Sequence, residues 1–167
     1  MTKAKTPYDT VVVSGGFDPV HIGHVRMILG AAEYGDVIVV ANSDSWLYRK
    51  KGFVFMPWDQ RKEILEALKG VVRVEWVDDR DETVCEALRR LKPTYFANGG
   101  DRKDDNVPEV AVCQELGIEM VWNVGGGKVE SSSDLVNKSR AKKTTPPQPE
   151  TLPSWDNGNG SQKISDK

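Results

Sequence analysis

Cysteine and histidine are both scarce. Cys85 and Cys113 are the only cysteines among 167 residues, and His21 and His24 the only histidines. The cysteines have no C-x-x-C spacing and no histidine nearby in sequence. That argues against a disulfide-stapled framework and a structural zinc site, and favours two reduced, mostly buried thiols in helical segments over a metal or redox role. Long apolar runs are also missing. No stretch approaches the roughly 18 residues of a membrane span, and residues 1–9 lack the apolar core of a secretory signal. The expectation is a cytoplasmic protein with no membrane partner. Excess positive charge is absent too: the formal charge is −2, whereas a dedicated nucleic-acid binder carries a basic face.

What is present is a core large enough for one domain. Hydrophobic residues make up 38% and charged residues 29%, the balance of a soluble globular chain of this length. β-Branched runs alternate with amphipathic segments. The runs are Thr10-Val11-Val12-Val13, Val37-Ile38-Val39-Val40-Ala41, 71–77, Tyr95-Phe96-Ala97 and 118–122. The first two are short and continuous, as strands buried on both faces should be. Helices are predicted over about 22–34, from Pro57 through Leu68 to Gly70, over 82–91 before Pro93, over 107–116 before Gly117, and from Ser131 through Val136. The fold expected is α/β: a Rossmann-like open parallel sheet of five strands with helices on both faces. Beyond about Arg140 the apolar pattern stops. Residues 138–167 carry six Lys and Arg against three Asp and Glu. We expect a domain at 1–143 and a disordered tail at 144–167, with Trp155 its one aromatic residue.

Open parallel sheets bind ligands at the carboxyl ends of their strands. The loop after the first strand reads Gly15-Gly16-Phe17-Asp18-Pro19-Val20-His21-Ile22-Gly23-His24 and holds both histidines at the start of a helix. Positions three apart share a helix face. A helix N-terminus offers free N–H groups and a positive dipole end, and glycines allow a phosphate to approach the backbone. Phosphate binding is the leading reading of this loop. A metal site, with only Asp18 as a third local ligand, and an ordinary helix start stay open as alternatives.

The pattern G-x-F-D-x-x-H-x-G-H resembles the signature of the nucleotidyltransferase superfamily of cytidylyltransferases and coenzyme-synthesis adenylyltransferases. The similarity continues through Asn42-Ser43-Asp44, Pro57 to Arg61, Gly99-Gly100-Asp101 and Ser131-Ser132-Ser133, so that it covers about 8–137. The spacing is most similar to the nucleotidyltransferase domain of bacterial ADP-heptose synthases and, next, to glycerol-3-phosphate cytidylyltransferase. This resemblance implies that His21 and His24 are catalytic at the α-phosphate. It places Gly16, Phe17, Asp18, Gly23, Asp101, Ser131, Ser132 and Ser133 against the nucleotide. A lysine in the loop after strand two, Lys50 or Lys51, would meet the acceptor phosphate, with Lys51 counted as catalytic and Asn42 and Arg61 beside the acceptor. The expected partners are ATP or CTP and a phosphorylated small molecule, the expected cofactor is Mg²⁺ on the phosphates, and no metal is expected to be held by the protein itself. The oligomeric state is not fixed, and a homodimer stays open.

Three positions depart from the resemblance. Gly125-Gly126-Gly127 stands where cytidylyltransferases place an arginine, Asn98 stands where the family has a lysine, and Val136 replaces an arginine of the nicotinamide-nucleotide enzymes. The expected reaction transfers a nucleoside monophosphate to a heptose-like sugar 1-phosphate with release of pyrophosphate. The alternatives are a cytidylyltransferase acting on an alcohol phosphate such as glycerol 3-phosphate, and a non-catalytic nucleotide-binding regulator.

Overall fold

The computed structural model describes residues 4–100, 107–127 and 131–142. Asp101 and the tail at 144–167 lie outside the described residues. Five strands, β1 (Thr10–Gly15), β2 (Asp36–Ala41), β3 (Val71–Glu75), β4 (Tyr95–Ala97) and β5 (Glu119–Val121), form one sheet in the order β3-β2-β1-β4-β5. Every pairing is parallel. Six helices accompany them: α1 (Ile22–Ala31), α2 (Asp44–Lys51), α3 (Trp58–Glu66), α4 (Cys85–Leu91), α5 (Glu109–Leu116) and α6 (Ser132–Lys142).

The period-2 alternation of strand side chains divides the core in two. Val11, Val13, Val37 and Val39 point to one face and pack with Ile28 and Ala31 of α1 and Leu65 of α3. Val12, Ile38, Val40 and Phe96 point to the other and pack with Ala87 and Leu88 of α4 and Val112 of α5. Because both faces are covered, Val11, Val12 and Val13 are all fully buried, each contributing about 1.5–3 kcal/mol relative to exposure. This is the expected Rossmann-like arrangement. Cys85 and Cys113 sit in the second cluster as free thiols. Burial, with Glu109 and Cys85 nearby, pushes the Cys113 thiol up to about 11, so it carries no nucleophilic thiolate at neutral pH.

Several boundaries differ from the sequence expectation by one to three residues, as frayed ends do: α1 stops at Ala31 and α4 begins at Cys85. Two differences are larger, and one is that α6 runs past Val136 to Lys142. In the other, the segment expected as a loop holding Lys50 and Lys51 is the helix α2. Ser43 caps it by accepting from the Trp46 N–H at 3.0 Å. Asp44 lies in its first turn and Arg49, Lys50 and Lys51 in its last, which suits the helix dipole, and Gly52 closes it at φ 80°.

Candidate active site

The strand order reverses between β1 and β4, because β2 and β3 lie to one side and β5 to the other. A cleft of about 550 Å³ opens at that point, on the carboxyl ends of the strands. Its walls include Ser14 of β1, the start of α1, Asn98 after β4, the glycines at 125–127 after β5, and Ser131 and Ser132 at the start of α6.

His21 and His24 form a reciprocal cap on α1. His21 Nδ1 accepts from the Gly23 N–H at 3.1 Å, and His24 Nδ1 accepts from the His21 N–H at 3.2 Å. The rings stack with centroids 3.8 Å apart. An Nδ1 that accepts carries no proton, so each neutral ring has its proton on Nε2 and is a donor there. Burial, and then the nearby His21, lower the His24 pKa to about 3. His24 is therefore a neutral N–H donor at physiological pH. Both rings line the cleft.

The loop before α1 is built as a brace. Phe17 is buried in the left-handed region at φ 52°, a conformation that costs energy for a residue with a side chain. Its ring holds the His24 ring at 4.7 Å. Asp18 is buried, and its two oxygens accept the Met56 N–H at 2.6 Å and the Phe55 N–H at 2.8 Å. Lys51 Nζ pairs with the same carboxylate at 3.0 Å, and its side chain is 14% exposed. Neither Asp18 nor Lys51 lines the cleft; they fasten α2 and the chain at 55–56 to the histidine loop.

Arg61, expected beside the acceptor, is directed elsewhere. It is fully buried. Nη1 donates to the carbonyls of Gly16 at 2.7 Å and Asn42 at 2.8 Å, Nε donates to Met56 O at 3.0 Å, and Nη2 pairs with Asp44 Oδ1 at 2.6 Å. The guanidinium ties the ends of β1 and β2 to the start of α3. Asn42 is likewise buried, with Nδ2 donating to Asp79 at 3.1 Å. Of the two lysines, Lys50 reaches the cleft wall, with Nζ 4.4 Å from the centre of the Trp46 ring.

Asp79 is the residue that the sequence reading missed. Its buried carboxylate accepts from Ser43 N at 2.8 Å, Ser43 Oγ at 2.6 Å and Asn42 Nδ2, so it anchors the N-terminus of α2 and hence the approach of Lys50. The available signal was the Asp78-Asp79 pair just past β3; the carboxyl-end rule applies to that strand as to the others.

In the same cleft, Ser131 caps α6 by accepting from the Asp134 N–H at 3.1 Å, and Ser132 Oγ donates to Pro19 O at 2.9 Å. Ser133 is exposed. A second helix N-terminus thus lines the same cleft as the first, joined to the histidine loop by the Ser132 bond. The glycine loop fits tightly against α1. Gly125 has φ 85°, and a Cβ there would lie 2.6 Å from Met27 N, so no side chain is tolerated.

Compared with known proteins, residues 12–132 match the cytidylyltransferase-like family model. The chain belongs to that family of nucleotidyltransferases. Among curated relatives of this cytidylyltransferase-like chain, the bifunctional protein HldE of Streptomyces coelicolor is 34% identical over 123 residues, 71% of this chain and 26% of that protein. This chain therefore spans about a quarter of such relatives. The FAD synthase of Ferroglobus placidus is 35% identical over 95 residues, 57% of this chain and 61% of that enzyme. In fold, the chain is similar to the crystal structure of the lipopolysaccharide core biosynthesis protein from Thermoplasma volcanium, at a TM-score of 0.61 and 24% identity, covering 73% of this chain and 98% of that one. No helix among the described residues is long and apolar enough to cross a membrane.

Proposed function

We propose that this protein transfers a nucleoside monophosphate from ATP or CTP to the phosphate of a small acceptor and releases pyrophosphate. The observation that carries this reading is the stacked histidine pair, each ring locked by its Nδ1 so that Nε2–H serves as a donor at the cleft. An acceptor phosphate oxygen attacks the α-phosphorus in line, the bond to the bridging oxygen breaks, and pyrophosphate departs with the electron pair. No covalent enzyme intermediate and no general base are required when the acceptor is an ionised phosphate. Negative charge gathers on the α-phosphate oxygens, where preorganised N–H donors stabilise the transition state.

The β- and γ-phosphates suit the N-terminal turn of α6, where Ser131 and Ser132 line the cleft. Lys50 is the cation on the acceptor side. The donor set fits a metal brought in by the nucleotide: the cleft offers N–H and O–H groups to phosphate, and the nearest loop carboxylate, Asp18, is already taken up by two backbone N–H groups and Lys51. Mg²⁺ on the phosphates would offset their charge and take most of its ligands from them and from water.

The acceptor we favour is a heptose-like sugar 1-phosphate, supported by the likeness to HldE proteins. A flavin phosphate is the second reading. It is supported by the FAD synthase likeness and by Tyr48 and Phe55, which stay 65% and 58% exposed on and just beyond α2. A pyrophosphate-release screen of four triphosphates against sugar phosphates, alcohol phosphates and flavin mononucleotide tests the proposal. Release with one pair identifies base and acceptor together. Triphosphate binding without release for any pair would leave a nucleotide-binding regulator.

A further inference from the structure

We infer that the proline-rich segment at 146–149 docks on an aromatic ledge that Tyr48 and Phe55 of the same chain present. Both side chains are exposed, although aromatic rings carry a large apolar area that folding ordinarily hides. The two belong to one side of α2. Tyr48 and Lys51 are three apart and share a helix face. Lys51 Nζ lies 5.0 Å from the centre of the Phe53 ring and 3.0 Å from Asp18 Oδ2, the same oxygen that accepts the Phe55 N–H. Trp46 and Lys50, in contact at 4.4 Å, occupy a different face, and Lys50 is the one that reaches the cleft. Neither Tyr48 nor Phe55 lines the cleft, and with a sugar phosphate as acceptor neither ring has a ligand.

Three observations select this occupant. The first is place. Arg140 Cζ lies 5.1 Å from the centre of the Phe53 ring, and α6 ends at Lys142, so the chain leaves the helix beside the ledge. Four residues separate Lys142 from Pro146, a reach of up to about 13 Å when extended. The second is composition. The segment reads Pro146-Pro147-Gln148-Pro149. Proline fixes φ and favours the polyproline II helix, which has three residues per turn. Pro146 and Pro149 therefore fall on one edge of that helix. A segment of this kind is extended before it binds, so docking costs it little conformational entropy, and its usual receptor is a surface of exposed aromatic rings. The third is charge. Arg49, Lys50 and Lys51 make the last turn of α2 basic. Residues 144–149 carry no charge for that turn to repel, and Glu150 follows with the opposite sign.

The test uses the full chain with Gln148→Cys carrying a nitroxide, and reads its backbone amide signals by NMR. Cys85 and Cys113 are buried, so the label goes to position 148. The expected result is selective broadening of the amide signals of residues 47–56 relative to the chemically reduced label. Tyr48→Ser combined with Phe55→Ser is expected to abolish that broadening and to leave the thermal midpoint unchanged, because both side chains are exposed. In the chain without a label, Pro146→Ser combined with Pro149→Ser is expected to shift the signals of 47–56 and to leave the rest of the domain alone. Broadening spread evenly over the surface would overturn the assignment, as would selective broadening that survives the loss of both rings. Broadening of isotope-labelled chains by separate nitroxide-bearing chains would make the occupant a second copy, and would overturn docking within one chain. No nucleotide enters the experiment, so its outcome is independent of the pyrophosphate-release screen.

Discussion

His21 and His24 hold each other's tautomer. Each Nδ1 accepts a backbone N–H from the same turn of α1, and the rings stack at 3.8 Å. The pair is thus a helix cap and, in the proposed reaction, a two-donor phosphate site built from the same four ring nitrogens.

Removing one donor should be costly to chemistry and cheap for folding. His24→Ala is expected to lower turnover by about 10²–10³ and to lower stability by about 1 kcal/mol through the lost cap. Steady-state kinetics beside circular dichroism separates the two. A folded variant with near-normal turnover would remove the main support for the proposed reaction.

The low pKa of His24 predicts an acid-sensitive fold. The group titrates near 6.5 when unfolded and at about 3 when folded. Below pH 6.5 the unfolded chain takes up the proton first. The stabilisation is therefore complete above pH 6.5 and is lost as pH falls toward 3, at no more than about 1.4 kcal/mol per pH unit. Urea unfolding of wild type and His24→Gln between pH 7 and 5 should show a shallower slope for the variant. Equal slopes would mean that the fold does not hold His24 neutral.

Arg61→Lys should act on stability. A lysine cannot serve three carbonyls and a carboxylate in the guanidinium's fixed geometry, and stranded buried carbonyls cost about 1–3 kcal/mol each. A loss of about 2–5 kcal/mol in urea unfolding is expected. A stable variant whose only defect is a raised KM for the acceptor would return Arg61 to the acceptor site.

Lys50 and Lys51 should separate. Lys50→Ala is expected to raise KM for the acceptor by about 10-fold with little change for the triphosphate. Lys51→Ala leaves the buried Asp18 without its cation and should lower the unfolding midpoint. If the two variants exchange these behaviours, the lysine facing the acceptor is Lys51.

Asp79→Asn should weaken the hold on Ser43 and let α2 shift. The expected signature is a raised KM for the acceptor with an unchanged KM for the triphosphate, because α1 and α6 are untouched. A change in both constants would place Asp79 on the nucleotide side.

The sequence by itself determined the alternation of strands and helices, because continuous valine runs such as Val11, Val12 and Val13 satisfy only a strand covered on both faces. It also determined the location of the histidine site, because a glycine-rich loop, a helix start and two histidines three apart are all local facts. Helix α2 was legible too, in its Ser43 cap, basic last turn and Gly52, although the family pattern led to a loop there. Only the tertiary structure decided which polar groups face the cleft and which hold the scaffold. Asp18 meets Met56 across 38 positions, Ser43 meets Asp79 across 36, and Arg61 meets Gly16 across 45. A sequence states that a donor or acceptor exists; its direction is set by partners that the fold brings in from far along the chain.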